Sequence, residues 1–212
     1  MEFEEVVHLR RMVRRYSSEP VDAASVDRLL RNAVRAPSAG FTQGWAFLVL
    51  DQRVDVERFW EATTLPDRAV EPDSWLRSMR TAPVVIVPLS SKKAYLDRYA
   101  EADKGWVDRD EARWPVPYWH VDAGMASLLT LLTAVDEGLG ACFFGIPSEC
   151  VPPLRAAFGV PSEYAPVGAI TVGYPEPAQR VGGSAATRKR RPAGNVIHRG
   201  HWSVGTTYSR LG

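Results

Sequence analysis

Apolar positions along the chain fall into short blocks whose spacing changes from one block to the next. Phe3, Val6, Val7 and Leu9 give residues 2–11 the pattern of a short helix. In RRMVRRYSSEPVD, which follows, the Ser pair and Pro20 interrupt helix. Asp22 is placed to cap a second helix carrying Val26, Leu29, Leu30, Ala33 and Val34, and Pro37 stops it. APSAGFTQGW is then a loop of small residues, and AFLVLD reads as a buried strand. Residues 54–82 predict helix in two pieces, broken around Pro66 and Pro72. APVVIVPLS (82–90) is a β-branched second strand, with a short helix over 91–99. Residues 118–137 form the longest helical pattern. It is apolar on nearly every face, which predicts a buried central helix ended by Gly138. LGACFFGI is a third strand, PSECVPPLRAAFGVP a short helix and APVGAITVGYPEP a fourth strand. Residues 178–212 lack periodicity, so the expected organisation is one domain over 1–177 and a C-terminal arm over 178–212.

Composition narrows the class. The 212 residues are 45% hydrophobic and 24% charged, an ordinary globular balance, and long enough to fold without disulfide or metal. No apolar run reaches the ~18 residues of a membrane span, and MEFEEVVHLRR lacks the apolar core of a secretory signal. The expected address is the cytoplasm, with no membrane partner. Two cysteines, Cys142 and Cys150, exclude a disulfide framework and a four-cysteine zinc site and read as small apolar fillers. There is no CxxC, HExxH, GxGxxG or Walker-type loop, so any anion must be held by side chains instead of a glycine cradle.

Charge is uneven. Residues 1–50 carry a net +1, residues 51–177 a net −7 and residues 178–212 a net +7. Arg10, Arg11, Arg14 and Arg15 crowd six positions. Helical spacing would pair Arg10 with Arg14 and Arg11 with Arg15, and a phosphate would relieve their repulsion. The plain alternative is a solvated basic face. Arg188-Lys189-Arg190-Arg191 reads as a second hand on the same phosphate or as a loose basic arm. Aromatic residues are not interleaved with it, which argues against nucleic acid. The loop 36–45 offers Ser38, Thr42 and Gln43 as hydrogen-bonding groups beside small residues that admit a flat ligand. Gly138–Gly145 sets Phe143 and Phe144 beside glycines, as a ring-stacking surface or as core filling. Residues 100–118 read as a long loop or lid, and Trp106, Trp114, Tyr118 and Trp119 lie within or just beyond it. Those rings form a substrate-pocket wall or anchor the loop to the core. His8, His120, His198 and His201 are scattered and read as structural.

The order of these segments carries a resemblance. RRMVRRYSSEPVD, APSAGFTQGW before a strand, a long helix ending in GLGACFFG, APVGAITVGYPEP and the basic RKRRP together resemble the nitroreductase family of FMN-dependent oxidoreductases over nearly the whole chain. The resemblance implies an α+β fold, with a central, mostly antiparallel sheet wrapped by helices. It implies an intertwined homodimer whose C-terminal arms cross to the partner, with FMN at the interface. It assigns phosphate contacts to Arg10, Arg11, Arg14, the Met12 backbone, Arg188 and Arg190. Pro37, Ser38, Ala39 and Gln43 would lie along the flavin from the other subunit. Phe143, Phe144 and Gly145 would sit behind its ring, with the Gly145 backbone N–H facing the redox-active nitrogen. It further implies NAD(P)H as co-substrate and a ping-pong hydride transfer to a small acceptor: a nitroaromatic, quinone or activated alkene. A flavin-dependent dehydrogenase, a deazaflavin enzyme and a non-catalytic flavin binder are the alternatives. This chain departs from the usual pattern at Met12 (commonly Ser), Phe41 (often Asn) and Leu128-Leu129 (often Gln-Asn).

Overall fold

The computed structural model describes residues 1–177 and 187–202. Its centre is β2 (Val84–Ser90), in which every residue is buried. β-Branched residues with no charge suit a strand covered on both faces. Before it come α1 (Phe3–Leu9), α2 (Ala23–Ala33), β1 (Trp45–Leu50), α3 (Arg53–Thr63), α4 (Pro66–Val70) and α5 (Ser74–Met79). After it come α6 (Lys92–Tyr99), α7 (Tyr118–Asp136), β3 (Gly140–Phe144), α8 (Val151–Phe158), β4 (Ala165–Pro166) and β5 (Ala169–Gly173). The sheet order is β1-β2-β5-β3, with β4 also on β2, and every strand pair is antiparallel. This is the α+β architecture, with a mostly antiparallel sheet, that the family resemblance implied.

Period-two alternation splits β2 between two helical layers. Val85, Val87 and Leu89 pack with Val56, Phe59, Trp60 and Met79 from α3 and α5 and with Leu154 from α8. Val84 and Ile86 pack on the other face with Val26, Leu29, Leu131 and Ala134 from α2 and α7. Pro88 is tolerated in this central strand for a specific reason. Its carbonyl faces away from β1 and accepts the Val167 N–H at 2.9 Å. The missing N–H therefore also faces that side, at the break between β4 and β5.

Capping residues act as their types suggest. Asp22 accepts from the Ser25 N–H at 2.9 Å and starts α2. Gly138, at φ 71°, ends α7, and the Leu139 N–H returns to the Ala134 carbonyl.

Four expectations change. The 54–82 stretch is three helices, not two, because Pro66 starts α4 and Asp73, just after Pro72, caps α5. The fourth strand divides at Val167 and Gly168 into β4 and β5. The Arg10–Arg15 segment is not helical: α1 ends at Leu9, and Met12 forms a parallel bridge to Ala141. The helical pairing of Arg10 with Arg14 therefore gives way to extended backbone held by the sheet edge. Finally, α7 is only half buried. Ala123, Ala126, Thr130 and Ala134 face inward, while Val121 and Leu128 are 40% and 48% exposed. Its apolar residues on all sides therefore include a second, exposed face.

The chain divides into two units, residues 1–177 and 178–212. In the described part of the second, Ala193–Asn195 form a single 3-10 turn, and His198 stacks on Trp202 at 4.0 Å between ring centroids.

Candidate functional site

The first group of candidate residues is built by the chain entering along β3. The Val13 N–H donates to the Ala141 carbonyl at 3.0 Å. Gly140 allows this approach, since a Cβ there would come within 2.7 Å of the Val13 side chain. Val13 and Tyr16 are buried anchors. The Tyr16 hydroxyl donates to the Val13 carbonyl and shares a 2.8 Å hydrogen bond with Thr171 Oγ1. Burial pushes that phenol's pKa far up, so it stays a neutral donor. Around these anchors, Arg10, Met12 and Arg14 are half-buried and Arg11 is exposed. The Arg14 guanidinium lies against the Cys142 sulfur and opposes the upward push of burial on that thiol's pKa. Arg15 is ion-paired with Glu176, outside this group.

Downstream of Cys142 the strand turns outward. Phe143 and Phe144 are half-buried and Gly145 is exposed. A Cβ at Gly145 would meet nothing within 4 Å, so open space faces its backbone. The Phe144 ring stacks on Trp60 at 5.6 Å with 6° between planes and meets Trp75 edge-on at 5.5 Å. Cys142 and Cys150 are buried free thiols whose pKa burial raises, as fillers should be.

The second group gathers around α6 and α7. Gly40, Phe41 and Gln43 all have left-handed backbone, φ 62°, 54° and 52°. Phe41 is 77% exposed, an unusual state for a large side chain. The loop is braced internally. The Gln43 N–H donates to Ser38 Oγ at 3.0 Å, and the Thr42 hydroxyl donates to the Ala39 carbonyl at 2.6 Å. Pro37 is exposed and Ala39 half-buried. From outside, Arg98 Nε donates to the Gly40 carbonyl at 3.0 Å.

The residue that anchors this loop was not singled out from the sequence. Asp122 of α7 is 1% exposed, and its Oδ2 accepts from the Ala39 N–H at 2.8 Å and the Tyr95 hydroxyl at 2.7 Å. Burial and the facing carboxylate push the Tyr95 phenol's pKa up. The available signal was a lone carboxylate inside the apolar run YWHVDAGMASLL.

The aromatic segment packs onto the same region. Trp114 lies 4.5 Å from Tyr99, 5.9 Å from Tyr95 and 5.9 Å from Tyr118; Trp106 lies 4.9 Å from Tyr99. Trp106 and Trp114 are thus half-buried against α6, while Tyr118 is exposed. Arg188 and Arg190 are exposed in the second unit. Among the described residues, no cluster of metal-ligating side chains occurs, and no helix is long and apolar enough to cross a membrane.

The sequence model of the nitroreductase family matches residues 7–174, which span both groups and the whole sheet. The chain belongs to the nitroreductase family. With membership comes the general class of oxidoreductase. A Methanothermobacter thermautotrophicus protein provisionally named as an NADH dehydrogenase/NAD(P)H nitroreductase is 29% identical over 178 residues, covering 82% of this chain and 78% of that protein. Solved structures agree on the fold. A nitroreductase-like family protein from Bacillus cereus superposes with a TM-score of 0.69 at 17% identity, covering 93% of this chain and 95% of that one. An FMN-dependent nitroreductase from Clostridium difficile R20291 gives 0.64 at 20% identity, covering 93% and 98%. The family match leaves the arm beyond residue 174 outside its range.

Proposed function

We propose that this nitroreductase-family chain is an FMN-dependent oxidoreductase working as a homodimer in the cytoplasm. Reduced nicotinamide, NADH or NADPH, and a small oxidised acceptor would take turns at one flavin in a ping-pong cycle. The observation that carries the reading is the bridge of Met12 to Ala141. It sets the arginine segment along the strand that ends in the open backbone at Gly145. A phosphate needs cations, and a flavin ring needs a flat approach to backbone donors; one strand edge offers both. The names of the relatives, one of them an FMN-dependent nitroreductase, support the same reading.

Bound there, FMN would supply the two-electron carrier. Arg10, Arg11 and Arg14, with the Met12 backbone, would neutralise its phosphate, joined by Arg188 and Arg190 from the arm. The Gly145 N–H would donate toward the ring, with Phe143 and Phe144 behind it. Pro37, Ser38, Ala39 and Gln43 would come from the partner subunit. That division suits a loop carried by α6 and α7, elements other than those that hold the arginines. A dimer also accounts for the uncovered apolar face: Val121 and Leu128 on α7, with Phe3 and Val7 exposed on the neighbouring α1. Trp106, Trp114 and Tyr118 would then wall the acceptor's side of the site. No side chain acts as nucleophile.

The test is the visible spectrum of the purified protein, followed by anaerobic stopped-flow mixing with NADH and with NADPH. A flavin band near that of FMN, bleached by one nicotinamide and restored by a quinone or nitroaromatic, is the expected result. A colourless protein that takes up no added FMN overturns the cofactor assignment. A bound flavin that neither nicotinamide bleaches overturns the activity.

A further inference from the structure

The 38–43 loop is strained, and it is held in that state from several sides. Gly40, Phe41 and Gln43 lie in the left-handed region, at φ 62°, 54° and 52°. Glycine adopts it freely, but a residue with a Cβ does so at a cost. Such outliers persist where the surrounding structure over-determines them, and they gather at ligand clamps. Inside the loop, the Phe41 N–H donates to the Ser38 carbonyl at 2.9 Å and the Gln43 N–H to Ser38 Oγ at 3.0 Å. From α7, Asp122 fixes the Ala39 N–H. From α6, Arg98 Nε donates to the Gly40 carbonyl at 3.0 Å, while its two terminal nitrogens fork onto Asp103 at 2.6 and 2.8 Å. The Tyr99 ring lies directly behind: a Cβ at Gly40 would come within 2.7 Å of it.

This bracing holds up a side chain that the fold does not use. Phe41 is 77% exposed, so its ring adds little to the core. A glycine at 41 would take the same backbone conformation without the cost. A single exposed apolar residue would mean little. An exposed ring on left-handed backbone, in a loop pinned from two helices, is presented to something outside the chain. The ring also sets the chemistry of what it meets. Offset stacking favours a flat conjugated surface and offers a small, non-aromatic molecule little beyond contact area.

We infer that Phe41 is a specificity-determining residue that selects planar aromatic or quinonoid acceptors over isolated activated alkenes by stacking on them, and that Arg98 is the residue that positions it. This rests on the reading that the loop bearing Pro37, Ser38, Ala39 and Gln43 lies along the partner's flavin. Selection of the acceptor is then shared between this loop and the 100–118 segment, whose Trp106 and Trp114 pack on the Tyr99 ring.

The experiment compares menadione, a two-ring quinone, with cyclohex-2-enone, a small activated alkene. Binding of each to the purified, oxidised protein is measured by equilibrium dialysis without nicotinamide, and KM for each is measured in turnover. Phe41→Gly keeps the backbone and removes the ring. The Kd and KM of menadione should rise about threefold to tenfold, while those of cyclohexenone change by less than about twofold and flavin affinity holds. Phe41→Tyr should restore the menadione values. Arg98→Ala should shift the menadione-to-cyclohexenone ratio in the same direction, and Arg98→Lys should recover it in part. Because glycine relieves the left-handed strain, Phe41→Gly should also melt higher, by about 2–4 °C. An unchanged ratio in Phe41→Gly overturns the inference. So does a lower melting temperature or a loss of dimer in light scattering, since the ring would then pack against a second copy. A fall in flavin affinity overturns it too, by placing the ring on the cofactor. If the purified protein binds no flavin, the functional reading fails by itself, and the dialysis still decides whether Phe41 selects planar ligands.

Discussion

At the scale of single residues, Arg14 and Asp122 show two degrees of legibility. Arg14 announces itself by charge density, and the structure sets it half-buried at a sheet edge beside Cys142. Replacing it with alanine removes a charge-assisted contact. FMN affinity should fall by roughly 1.5–3 kcal/mol in equilibrium dialysis, and unchanged affinity would remove Arg14 from the site. Asp122 is silent by comparison because its partners, Tyr95 and Ala39, lie 27 and 83 positions away. Asp122→Ala leaves both donors buried and unpaired. We expect a loss of about 2–4 kcal/mol in urea unfolding, with weaker flavin binding because the 38–43 loop loses its anchor. A loss below about 0.5 kcal/mol would mean water replaces the carboxylate.

At the scale of elements, period and punctuation predicted most of the pieces. Asp22 starts α2 and Gly138 ends α7 where expected, and alternation in VVIVPLS assigned its two faces. The helical spacing considered for Arg10–Arg15 does not form, because pairing of Met12 with Ala141 decides the backbone of that segment. The start of α7 carries a pH response. His120 Nδ1 lies 2.9 Å from the Ser90 hydroxyl, and burial, then Lys92, lowers its pKa below the usual 6.5. The folded state therefore resists a proton that the unfolded chain accepts. Stability contributed by His120 is present above about pH 6.5 and is lost as pH falls from there to its folded pKa. Unfolding free energies from pH 8 to 5 should show a smaller gap between the wild type and His120→Asn at the acid end. Parallel curves would show that the imidazole titrates alike in both states.

At the scale of the molecule, the outstanding feature is the apolar surface exposed among the described residues of α1 and α7. Leu128 is 48% exposed on a helix whose other face lies in the core. Leu128→Lys should leave the monomer fold intact, since nothing buried changes, but should disfavour association. Light scattering should show a wild-type dimer and a variant shifted toward monomer at micromolar concentration, with flavin loss in parallel if the site spans two chains. A wild-type monomer with flavin bound would end both the dimer and the exchanged-arm proposals.

Period and punctuation determined the principal elements, and the order of the segments carried the family resemblance that implied the fold class. They also picked out the arginine cluster, the small-residue loop and the Phe-Phe-Gly turn, since each is a local property of neighbouring residues. Tertiary structure decided what depends on distant partners. It set the arginine segment extended along β3, locked the 38–43 loop to Asp122 and left one face of α7 exposed. Burial and hydrogen-bond satisfaction are sums over neighbours from the whole chain, and no local pattern of residues contains them.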